Sequence, residues 1–226
     1  LAGDTPIDYL DSISLTRPMD GKALYFGFTA LRDNDKAIAG FAELHSDFSE
    51  LKKCCEHLAC MEGVMLQLTV LRHQLPLVYE QALFCAWLGV SLMRQLKRNS
   101  SDIFNVFMLA MIHDVGLLHV PKEFVQSRKH FTCRQLRMLQ AHSAVGFYVL
   151  KRVSRIPDDV LRAVAEHHEC LDGTGYPAGK VGNTISRLGQ MLNFLDAVNA
   201  IYTKRLKPGE RPLRDLIPMI QMNGHS

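Results

Sequence analysis

HHECLDGTGYPAG, residues 167–179, places two adjacent histidines, His167 and His168, ahead of Glu169 and a turn-rich loop through Asp172, Gly173, Thr174, Gly175, Tyr176 and Pro177. Pro157, followed by Asp158 and Asp159, predicts a helix that ends on the two histidines. Adjacent helical residues point about 100° apart, so both rings can reach one ligand only at the mouth of a concave site. Upstream, His113 and Asp114 interrupt the apolar run FMLAMIHDVGLL. An aspartate in such a run is costly unless it is paired or bound to metal. A further histidine, His142, stands in AHSAVG. Histidine and aspartate together suit Fe, Mn or Zn, and metal-assisted phosphate chemistry is the expectation they support.

Outward from this block the chain reads as helices. Ile38, Phe41, Leu44, Phe48 and Leu51 recur at three- and four-residue steps. Further helices are predicted over about 60–74, from Pro76 to about 98, over about 102–117, from Thr132 to about 153, from Pro157 to His168, from Thr184 to about 202, and from Arg211 onward. The aromatic run ALYFGFT, residues 23–29, lies among turn formers and predicts a short strand or extended segment. The expected fold class is therefore all-α, with a small N-terminal segment containing a short strand.

Composition sets the outer bounds. The chain has 226 residues and a formal net charge of +3, too small a basic excess to imply a nucleic-acid polymer as partner. The clusters Arg94, Lys97, Arg98; Lys151, Arg152, Arg155; and Lys204, Arg205, Lys207 fall near predicted helix ends, where cations favour the dipole. No apolar run reaches the roughly 18 residues that span a bilayer, and no leader opens the chain at Leu1, so a trimmed cytoplasmic protein without a membrane partner is expected. None of the six cysteines forms CxxC, which argues against structural zinc. Cys54, Cys55 and Cys60 read as small apolar residues of a reduced protein, and Cys170 as a bystander.

HDVGLLHVP at 113–121, His142 in AHSAVG, and HHECLDGTGYPAG together resemble the HD-GYP phosphodiesterases, a branch of the HD-domain metal-dependent phosphohydrolases. The likeness covers about residues 75–215 and divides the chain into 1–70, a segment or helical linker of unknown role, and 71–226, the HD-GYP-like domain. It implies a helical HD-domain bundle with a divalent transition metal, iron or manganese, as one or two ions. It implies hydrolysis of the bacterial second messenger cyclic di-GMP or a related cyclic dinucleotide. Matched residue by residue, His113 and Asp114 become the signature pair, ligands and catalytic residues together, with Asp114 bridging. His142, His167 and His168 become further ligands, while Gly173, Gly175, Tyr176, Pro177 and Arg187 would contact substrate.

Three positions depart from the pattern. Where the family has a histidine at the start of the core's first helix, VYEQALFCAW offers Glu80 or Gln81, and Glu80 is the substitute ligand expected. Leu117 stands where the signature carries lysine. Asn193 stands where a late aspartate ligand is expected, with Asp196 matching the next aspartate of the pattern. A metal site formed by Asp114, His142, His167 and His168 keeps its protein ligands; one using His113, Asp114, Asn193 and the missing histidine is weakened. Two functions follow: a weakened cyclic dinucleotide phosphodiesterase, or a degenerate module that binds nucleotide or a signalling protein without turnover. Restoring lysine at 117 and aspartate at 193 is expected to raise turnover. Nothing in the sequence sets the oligomeric state.

Overall fold

The computed structural model describes residues 19–34, 48–126, 131–153 and 155–202. They form helices α1 (Gly21–Asn34), α2 (Phe48–Ala59), α3 (Glu62–Gln74), α4 (Pro76–Gln95), α5 (Ser100–Ile112), α6 (Lys122–Val125), α7 (Cys133–Gln140), α8 (His142–Leu150), α9 (Asp158–Glu166) and α10 (Arg187–Tyr202), with 3-10 turns at Val115–His119 and Gly182–Thr184. Among the described residues there is no strand, only an isolated bridge between Asp172 and Val181. The fold is all-α. The helix expected from Arg211 and most of the one expected from Asp35 lie outside the described residues.

The predicted strand at residues 23–29 is helix instead. Leu24 and Phe28, one helical turn apart, are 0% and 2% exposed, whereas Phe26 between them is 69% exposed. Alternation would bury 24, 26 and 28 alike; the core accepts only the i, i+4 pair, and packing overrides the β preference of the aromatics. The helix expected over Thr132–Val153 is two helices, parted at Ala141. Thr132 and Gln135 form the capping box of α7.

The antiparallel neighbours α4 and α5 make the centre of the bundle. Every residue of α5 from Val106 to Ile112 is buried, and Asn99 caps it by accepting from the Asp102 amide at 2.9 Å. Two helical stretches, Pro76–Gln95 and Ser100–His119, are long and apolar enough to cross a membrane, contrary to the sequence expectation, but 67% of each is buried inside the fold. Their apolar surface is covered by the protein's own helices. One continuous core joins α1, α2 and α3 to the site-bearing helices, so the ends of α5, α8 and α9 are held by packing on a shared body.

Candidate metal centre

Three histidines sit at helix ends and use one device. His113 closes α5, His142 opens α8 directly after α7, and His167 closes α9. In each, Nδ1 lies against the carbonyl three residues back: Ala110 at 2.8 Å, Leu139 at 2.7 Å and Val164 at 2.7 Å. A carbonyl can only accept, so its presence assigns the proton to Nδ1 and leaves Nε2 with a lone pair. The same bonds fix the ring orientations, as outer-sphere partners do for metal-binding histidines.

Those Nε2 atoms converge on Asp114. His142 Nε2 is 3.3 Å from His167 Nε2. Asp114 Oδ1 lies 3.3 Å from His142 Nε2 and 3.7 Å from His167 Nε2. Its other oxygen, Oδ2, faces His113 Nε2 at 3.4 Å. Asp114, His142, His167 and His168 each offer a ligand atom, and these atoms lie within 4.8 Å of one another. With Nδ1 protonated, the facing atoms are lone pair against lone pair and against a carboxylate. Such a donor set fits a divalent cation at its centre.

Electrostatics agree at Asp114, His167 and His168, whereas Asp114 draws His142 toward its protonated form. Burial raises the Asp114 pKa, but His113, His142 and His167 outweigh it and hold the carboxyl well below its ordinary range. Burial, then the charges of His167 and His142, push His168 well below the usual histidine value and keep it neutral. Burial also dominates at His167, which is lowered. At His142 burial lowers the pKa, but the hydrogen bond and charge of Asp114 prevail and raise it; Asp196 on α10 adds to the rise.

Two glycines explain the motifs. A Cβ on Gly116 would collide with the His142 carbonyl oxygen and stand 2.7 Å from the Gly146 amide. Its absence lets the corner after α5 touch the first turn of α8, which brings Asp114 to His142. A Cβ on Gly175 would stand 2.5 Å from the His168 carbonyl oxygen, so the loop can fold back over the histidine pair. Tyr176 then stacks on the His168 ring, centroids 4.7 Å apart, and the Tyr176–Pro177 peptide is cis.

Two glutamates that the sequence reading gave no role fasten this loop. Glu169 accepts from the backbone amides of Ala178 at 2.7 Å and Lys180 at 2.8 Å. Glu166, 2% exposed, accepts from Arg162 Nε at 2.8 Å, from the Ser186 amide at 2.7 Å and from the Lys180 ammonium. Burial raises its pKa, but Arg162, Lys180 and Ser186 outweigh this and bring it down to about 2. The available signal was the cost of an unpaired buried carboxylate so close to an apolar helix face.

The remaining candidates are not members of the four-residue group. Glu80 is exposed on α4 and is not a member of the four-residue group. Leu117, 7% exposed, belongs to the hydrophobic core. Asn193 donates its side-chain amide to the carbonyls of His167 at 3.0 Å and Glu169 at 3.2 Å. Arg187 is exposed at the first turn of α10. Gly173 takes a positive φ of 80° beside Val181, and Pro177 is exposed.

Residues 65–225 match the HD domain family. The chain is 29% identical over 133 residues to a 3′3′-cGAMP-specific phosphodiesterase of Vibrio cholerae, covering 59% of this chain and 29% of that protein. It is 26% identical over 164 residues to a cyclic di-GMP phosphodiesterase of Pseudomonas aeruginosa, covering 72% of this chain and 40% of the relative. A cyclic di-GMP phosphodiesterase of Thermotoga maritima is 24% identical over 139 residues, 60% of this chain and 37% of the relative. The chain thus spans well under half the length of each of these relatives.

Proposed function

We propose a function from one premise: the chain belongs to the HD domain family, and within it to the HD-GYP type. The reading is a metal-dependent phosphodiesterase acting on a cyclic dinucleotide, cyclic di-GMP or a close relation, weakened by altered residues around the centre. The observation that carries it is the convergence of four lone-pair donors, Asp114, His142, His167 and His168, within 4.8 Å. Mixed imidazole and carboxylate donors favour iron or manganese. We assign one ion to this group; His113 and Asp114 Oδ2 would hold a second.

When bound, the metal supplies positive charge for a phosphodiester oxygen and acidifies water for attack on phosphorus. The chain's own residues do the rest. Asp114 stays ionised and presents an oxygen to each side. His113, His142 and His167 keep their protons on Nδ1 and offer Nε2. The loop through Gly173, Gly175, Tyr176 and Pro177 walls the mouth of the site, fastened by Glu166 and Glu169. Arg187, exposed at the start of α10, is the assigned cation for a phosphate of the substrate. We also assign the site-bearing unit to residues 71–226, with 1–70 as an N-terminal segment or linker of unknown role, in a cytoplasmic setting.

One observation favours a second reading, a degenerate module that binds nucleotide or a signalling protein without turnover. The side chains at three expected polar positions are turned to other uses: Leu117 to the core, Asn193 to backbone carbonyls, Glu80 to solvent. Metal analysis of protein purified without chelator, with turnover of cyclic di-GMP and 3′3′-cGAMP at added Mn²⁺ or Fe²⁺, separates them. Bound metal with linear dinucleotide as product supports the enzyme. Bound metal without turnover selects the module, and protein that takes up no divalent ion refutes the enzyme.

A further inference from the structure

We infer that Tyr176 is a positioning residue: its ring holds that of His168 in the orientation the donor group needs. The inference rests on the metal-site reading above and gives this residue a role other than substrate contact.

The three other histidines around Asp114 are each anchored through Nδ1 to the carbonyl three residues back, in the last turn of a helix. His168 is not. Among the described residues no hydrogen bond reaches its ring. It follows His167 beyond the end of α9, where the chain leaves the helix. Without an anchor, the ring of such a residue is free to turn about two side-chain torsions.

What contacts it is aromatic. Tyr176 stacks on His168 with centroids 4.7 Å apart and planes 30° apart. His167 lies tilted at 4.0 Å and His142 meets it edge-on at 5.0 Å. The two histidines are themselves ligand candidates, so Tyr176 is the contact that comes from outside the group. Its edge also meets the His142 ring at 6.4 Å. The backbone enforces the stack: the Tyr176 amide donates to the His168 carbonyl at 3.1 Å, and Gly175 lets the chain approach that carbonyl at all. Glu169 pins the far side of the loop at Ala178 and Lys180. Tyr176 is therefore delivered to His168 by a loop closed at both ends.

The test uses the full chain as parent, Tyr176→Phe and Tyr176→Leu. In metal-free protein, histidine-selective NMR reads the His168 ring protons, which stacking shifts upfield. The expected result is that Tyr176→Phe keeps the upfield shift and Tyr176→Leu loses it. Direct Mn²⁺ titration should then show affinity lowered by about tenfold in Tyr176→Leu, the scale typical of lost outer-sphere support, and recovered in Tyr176→Phe. Tyr176→Gln replaces the leucine variant if that one does not fold. His168 signals that do not move on losing the aromatic ring overturn the inference. So does unchanged Mn²⁺ affinity with a raised KM for cyclic dinucleotide, which marks a substrate contact. Should the parent bind no Mn²⁺, the metal-site reading fails by itself, and the ring shifts still decide whether Tyr176 holds His168.

Discussion

Asn193, on α10, donates its side-chain amide to the carbonyl oxygen of His167 at 3.0 Å, and the same nitrogen lies 3.2 Å from the carbonyl of Glu169. Two carbonyls demand a donor, so this position is suited to an amide and unsuited to a carboxylate. In Asn193→Asp a carboxylate would face both oxygens. We expect it to destabilise the fold by about 2–4 kcal/mol, since a buried carbonyl left without its partner costs roughly 1–3 kcal/mol. Thermal unfolding of metal-free protein checks this. The expectation that lysine at 117 with aspartate at 193 raises turnover is a separate measurement; on this contact, Asn193→Asp alone should lower metal uptake by disturbing the turn that carries His167.

Removing a member of the four-donor group should abolish its metal. Asp114→Ala or His142→Ala is expected to weaken binding beyond the roughly 10–100-fold typical of outer-sphere changes. Elemental analysis after gel filtration in Mn²⁺ reads it out. Retention of parent stoichiometry in both variants would place the ion elsewhere.

Gly116→Ala tests the corner that joins Asp114 to His142. The added methyl collides with backbone, which cannot rotate away. We expect a loss of at least the 1–3 kcal/mol common for overpacking, together with a drop in Mn²⁺ affinity. Equal unfolding temperatures for parent and variant would show that the corner is looser than described.

Glu166 gives a pH signature. Its pKa is about 2 in the folded chain against an ordinary 4.5. A carboxyl with a depressed folded value adds stability that is complete above its unfolded pKa and is lost as pH falls through the folded one. Unfolding temperature should therefore fall between about pH 4.5 and pH 2 through this group. Glu166→Gln should flatten that limb while lowering stability at pH 7, because Lys180 and the Ser186 amide lose their charged acceptor. A parallel pair of pH profiles would contradict the assignment.

Much of this was open to sequence reasoning. The helices announced themselves through Pro76, Thr132 and Pro157, whose effects are local. His113, Asp114, His142, His167 and His168 were legible because polar residues in apolar or turn-bounded contexts need a reason. The failures were non-local. Whether Phe26 or Phe28 is buried depends on what α1 packs against. Asn193 serves carbonyls 26 and 24 residues away in sequence, and no spacing rule reports that. Leu117 could be seen to replace a lysine, but not to join the core.

Because each of the three anchored rings hangs from a carbonyl in the last turn of a helix, the centre works as a gauge. A slide of α5 or α9 carries its imidazole along, and a slide of α7 pulls on the His142 ring through the Leu139 carbonyl. A displacement between α7 and α9 would appear in the 3.3 Å separation of His142 and His167. A cobalt ion in the centre would then report, by the colour of its ligand field, any strain imposed on the bundle.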